Sequence, residues 1–112
     1  MHYAYAMAEL RFPLTLKQFS GQGQFWTAAH FPSDTQSDWS VLIWFDQPVK
    51  AGETVMVPVT LLVPEAAENL FVPKAEFELF LGSDGKAQGR IVSVMEVSKE
   101  ELHRVFHTPS HL

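Results

Sequence analysis

The chain contains no cysteine. Disulfide staples, a thiolate nucleophile and any cysteine-ligated zinc are therefore excluded. Positive charge is also scarce: 8 basic side chains stand against 13 acidic ones, a formal charge of -5. Such a surface repels a phosphate backbone unless its few cations converge, so nucleic acid is disfavoured as a partner. No apolar run is long enough for a membrane-spanning helix, and the opening MHYAYAMAEL lacks the basic start and continuous apolar core of a secretory leader. The expectation is a soluble cytoplasmic protein. There are no internal repeats, linkers or low-complexity tracts, and 112 residues suffice for a single domain with its own core.

What is present is alternation. Thr54 to Pro64 (TVMVPVTLLVP) puts Val55, Val57, Val59, Leu61 and Val63 on one side and Thr54, Met56, Pro58, Thr60 and Leu62 on the other, the period of a strand. Pro58 cannot donate to a ladder, which places it at an edge or beside a bulge. Glu76 to Leu81 repeats the pattern with Phe77, Leu79 and Leu81 on one face. Arg90 to Val97 follows, with Val92 and Val94 opposite Ile91, Ser93, Met95 and Val97. Gly82-Ser83-Asp84-Gly85-Lys86 between them reads as a hairpin. Upstream, Ala8, Leu10, Phe12 and Leu14 alternate with Met7, Glu9 and Arg11 in a strand ending near Pro13, and Gln24 to Phe31 forms a short strand. Trp39 to Asp46 is apolar on both faces: Trp39, Val41, Ile43 and Phe45 on one, Leu42 and Trp44 on the other. Glu65 to Asn69 fits one helical turn. Ser98 with Glu101 forms a capping box that starts a short helix through Phe106. Together these predict an all-β chain, a closed barrel or a sandwich, with a short C-terminal helix and tail over 98–112; a barrel has the advantage of removing the free edges of the very apolar strands Trp39 to Phe45 and Val55 to Val63.

Candidate chemistry is thin. His103 and His107 are four apart on that helix, with Glu100 one turn before and His111 beyond, which is metal-ligand spacing. Thr108-Pro109 ends the helix at once, so solvated histidines are the better account and no metal or cofactor is expected. His30 can pair with Asp34 or Asp38, yet no activated nucleophile accompanies it. Glu76 and Glu78 share one face of a strand, the ordinary wet side. The Gly82 to Lys86 stretch precedes a strand and lacks the Lys-Ser/Thr pair of a phosphate loop. No catalytic set emerges. The aromatics carry more: Trp26, Phe31, Trp39 and Trp44, with Leu42 between the last two, are candidates for a partner-binding surface, because large aromatics concentrate interface energy.

One resemblance follows from these residues. Val49-Lys50-Ala51-Gly52-Glu53-Thr54-Val55, then Val59-Thr60-Leu61-Leu62-Val63-Pro64, resembles the C-terminal β-barrel domain of elongation factor Tu and related translation GTPases. That family carries a Pro-Gly-Asp turn leading to a Val-Thr-Leu-Ile-His-Pro string. Here Ala51 replaces the proline and Val63 the histidine. Gly85, Gly89 and Val92 are similar to its hairpin and closing strand, and Phe19-Ser20-Gly21 with Phe25 to its Phe-Ser-Gly passage. The resemblance implies a small closed six-stranded, Greek-key-like β-barrel. In the family this barrel packs on a GTPase domain and helps hold aminoacyl-tRNA. The family's Glu-Gly-Gly-Arg loop has no counterpart here.

The sequence therefore leads to a non-enzymatic barrel that binds protein, a second copy of itself included. An RNA-binding module would need Lys17, Lys50, Lys86, Arg90 or Arg104 to converge, and an enzyme would need His30 or His103 to share a cleft with carboxylates. Trp44 has two expected fates: at an interface, or beneath the segment Leu102 to Phe106.

Overall fold

The computed structural model describes residues 3–16, 23–32, 38–45, 48–62 and 67–106. Six strands, β1 Tyr3–Arg11, β2 Gly23–His30, β3 Asp38–Phe45, β4 Thr54–Leu61, β5 Glu76–Phe80 and β6 Lys86–Val97, close into one barrel. The order around it is β1-β4-β3-β2-β5-β6, every neighbour antiparallel. β2, β3 and β4 form a meander and β1 returns beside β4, which is a Greek key. A short helix, α1 Ala67–Leu70, precedes β5, and α2 Lys99–Val105 follows β6. The expected all-β barrel with a short C-terminal helix is the fold observed.

The interior is filled by pairing small residues with large ones. Ala6 and Ala8 on β1, Ala29 on β2 and Ala87 on β6 are all fully buried, leaving room for Phe12, Phe31, Phe45 and Phe77. Phe31 and Phe77 stack at 5.1 Å between centroids, and Phe71 lies 6.5 Å from Phe31. Gly89 lies opposite Phe77 across the β5–β6 ladder, and a Cβ there would come within 2.3 Å of the Phe77 ring. The absent side chain is thus the space that the ring occupies.

Two irregularities shape the wall. On β6, Met7 pairs with Ser93 while Ala8 pairs with Ile91, so Val92 is an extra, bulged residue. The bulge exchanges the faces: Ile91 and Val94 both reach the interior, while Val92 is exposed. Simple alternation over Arg90 to Val97 had put Val92 with Val94, and the bulge corrects that. The same strand also begins earlier, at Lys86. The second irregularity is Pro58. The bond from Leu62 N–H to Ser40 C=O, 3.0 Å, fixes the parity of the β3–β4 ladder, so Thr60, Pro58, Met56 and Thr54 aim their backbones at β3. The ladder runs Val41↔Leu61, Leu42↔Thr60, Ile43↔Val59 and stops where Pro58 has no N–H to offer.

Leu14 departs from expectation. It is 85% exposed, because the chain turns at Pro13, whose carbonyl accepts the N–H groups of Leu16 and Gly52. The β5–β6 hairpin, one 3-10 turn at Gly82–Asp84 closed by Gly85 at φ 99°, is as expected. Gly89→Ala should lower stability by about 1–3 kcal/mol through overpacking. Phe77→Leu should recover part of that loss in a double-mutant cycle read from urea midpoints. Strictly additive effects would mean that the ring and the glycine do not share this space.

Candidate functional site

Among the described residues, an apolar cluster outside the barrel core gathers around β3. Its inner residues Val41, Ile43 and Phe45 enter the core. Leu42 points the other way and is nonetheless fully buried. It forms a second cluster with Leu102 and Phe106 of the α2 segment, against which Tyr3, Tyr5, Trp44, Leu62, Val97 and Val105 pack. Cross-strand partners share a face, so the register lines up Trp26, Leu42, Thr60, Tyr5 and Met95 across five strands of the outer wall. Phe106 meets Tyr5 edge-on at 6.0 Å.

α2 sits on this wall by its N-cap and two anchors. Ser98 Oγ accepts the Glu101 N–H at 3.2 Å, the capping expected from Ser98 and Glu101. Leu102 and Phe106, four apart, share the buried face, while Lys99, Glu100, Glu101 and Arg104 are exposed. Seven residues are too few for a helix to hold itself in water, so docking holds it. The two anchors contribute about 3–6 kcal/mol of transfer free energy before the ordering entropy of the segment is subtracted.

The candidate partner-binding residues divide. Leu42 lies beneath the α2 segment and Phe31 inside the barrel, so both are withdrawn from any exposed surface. Trp39 is half-buried against the inner core and Trp44 half-buried against the outer cluster. Trp26 stands at the flank of the wall, 44% exposed, directly opposite Leu42. Trp44 packs, half-buried, against the cluster that Leu42, Leu102 and Phe106 form. Where β3 and β4 part after Pro58, Trp44, Pro48, Glu53, Val55 and Met56 line a cleft of about 200 Å³, with Met56 50% exposed. The outward Tyr5 and Met95 were missed in the sequence. Their signal is that β1, like β3, is apolar on both faces: Tyr5 and Met7 out, Ala6 and Ala8 in.

Of the polar candidates, His30 forms its expected pair with Asp38. His30 Nδ1 lies 3.0 Å from Asp38 Oδ1 across the β2–β3 ladder, on the outside and half open to solvent. His103 is on α2. Neither borders the 200 Å³ cleft or the open groove of about 460 Å³ by Pro32, Asn69, Val72 and Lys74. Among the described residues no three metal-ligating side chains gather. Lys17, Asp34, His107 and His111 lie outside the described residues. Lys86 Nζ is 3.9 Å from Glu78 and Arg90 3.8 Å from Glu9. Lys50 lies on the β3–β4 connection and Arg104 on α2, so the cations are dispersed. Glu76 and Glu9 flank Arg90 on the register, which makes this wall neutralise itself.

No protein-family model matches the chain, and no curated protein matches it. No helix among the described residues is long and apolar enough to cross a membrane.

Leu42 and Ile43 are adjacent, equally buried and on opposite faces, which makes them a matched pair. Ile43→Ala should cost about 2–5 kcal/mol, as in any closed core. Leu42→Ala should cost less than about 2 kcal/mol, because α2 can lift and let water relieve the cavity. Equal losses in urea would show that α2 is as firmly held as the barrel.

Proposed function

We propose that this protein is a non-enzymatic, cytoplasmic barrel that binds a protein partner through the outer wall flanking α2. The observation that carries the reading is Trp26: a large aromatic, 44% exposed, continuing a row that is apolar but for Thr60 and whose centre is covered. Trp44 and Met56 extend the same surface on its other side. A half-exposed tryptophan beside a desolvated leucine has the make-up of an interface hot spot. The dispersed histidines and carboxylates offer no support to an enzyme.

The resemblance to the barrel of translation GTPases favours a second reading, a module near the translation apparatus that touches RNA. The closed six-stranded barrel is compatible with it. The paired state of Lys86 and Arg90 weighs against it, since counterion release needs several free cations on one face.

A photo-crosslinking side chain at position 26 should trap a partner in cells, and the same side chain at exposed position 88 of β6, between Arg11 and Glu78 on the register, should not. Trp26→Ala should weaken the isolated complex by about 2 kcal/mol or more. Equal trapping at both positions would defeat the proposal. Submicromolar, steeply salt-dependent tRNA binding in a filter assay would put the RNA reading in its place.

A further inference from the structure

Among the described residues, the apolar wall is larger than its cover. α2 buries Leu42 beneath Leu102 and Phe106, yet Trp44 remains half-buried, and Trp26 and Met56 are exposed on either side. The barrel does not need α2 to close. The β6–β1 ladder is complete from Tyr3↔Val97 to Arg11↔Gln88, and Leu102 and Phe106 belong to a cluster separate from the inner core. The helix joins β6 through Ser98 alone, so a change at one residue swings it away. A segment that is short, docked by Leu102 and Phe106 with Val105 beside them, and hinged at one residue belongs to the least stable part of a fold.

We propose that the wall around Leu42 and Tyr5 is a receptor for an amphipathic helix, and that α2 occupies it in cis until a partner's longer helix displaces it. The occupant's chemistry is read from α2 itself. It carries apolar residues at i and i+4 that replace Leu102 and Phe106, a polar outer face, and further turns whose apolar residues cover Trp26 and Trp44. This deepens the protein-binding reading and rests on it. A helix is favoured over an added strand because the wall presents side chains. The strands part at β4, which carries Pro58, a residue that blunts strand addition, and at β2, which pairs with β5 through Ala29 and His30 alone.

The test uses the full chain and a fluorescent peptide made of the Ser98 to Phe106 sequence, extended by two helical turns that continue the i, i+4 leucine spacing. Leu102→Ser with Phe106→Ser should loosen α2 and leave the barrel folded by near-ultraviolet dichroism. This double variant should bind the peptide at least tenfold tighter than wild type by anisotropy. Adding Leu42→Arg to it should abolish binding. A peptide with serine at both anchor positions should bind neither protein. In wild type, the Phe106 amide should exchange with deuterium at least tenfold faster than the Leu10 amide of β1.

Failure of the folded double variant to bind the peptide would overturn the proposal, as would exchange of α2 only with global unfolding. A wild-type dimer with exchanged α2 helices would overturn it too, by making a second copy the occupant. Partner trapping at position 26 without peptide binding would remove the helix mode and leave the protein-binding reading standing. Peptide binding with no trapping at position 26 would remove the wider reading and confine the receptor to α2.

Discussion

A barrel strand divides its side chains between a dry interior and the outside, and β3 has apolar residues for both. Val41, Ile43 and Phe45 fill the inside, so Leu42 and Trp44 must emerge on the wall. A slip of one residue would exchange the two sets without removing the difficulty, because either set leaves large apolar groups outside. The second, outer cluster is the consequence. Tyr3, Tyr5 and Val97 on β1 and β6 extend the same surface, and α2 covers its middle. The position of the C-terminal helix thus follows from the composition of a strand more than fifty residues earlier in the chain.

Closure of the barrel imposes the other features. Small residues gather on β1 and β6 because four phenylalanines, Phe12, Phe31, Phe45 and Phe77, share one narrow interior. Gly89 yields its whole side-chain volume to Phe77. The bulge at Val92 lets β6 turn Ile91 and Val94 to the same side, and Pro58 ends a ladder that would otherwise continue along β4. Each local departure from regularity lies where the barrel must bend or open.

Much of this was legible in advance. Period-two patterns marked β1, β3, β4 and β5, the Gly82 to Lys86 turn marked the hairpin, and Ser98 with Glu101 marked the start of α2. These signals are local, and local chemistry decides them. The bulge was not legible, since one extra residue leaves no mark in composition and shows only against the partner strand β1. Nor was the fate of Phe31, whose position after β2 looked open until Phe71 and Phe77 were seen to enclose it. The two apolar faces of β3 show that Leu42 needs cover, but the sequence puts it on a partner-binding surface and the structure puts it under the α2 segment. What covered it depended on the register of four other strands, which one sequence does not specify.

The two walls of the barrel behave differently toward their surroundings. On the β5–β6–β1 side, Glu76, Arg90 and Glu9 stand in one row and Lys86 approaches Glu78, so charges meet their opposites within the protein. Exposed pairs of this kind stabilise little, and their effect is on solubility and on the exclusion of charged partners. On the β2–β3–β4 side no such pairing exists among the described residues beyond His30 and Asp38, which lie at the far end of the hairpin. Trp26, Leu42 and Trp44 occupy that side instead. A charged ligand finds the first wall's charges already paired, while an apolar one finds Trp26, Leu42 and Trp44 on the second, and α2, seated on β1 and β6, reaches across to cover Leu42.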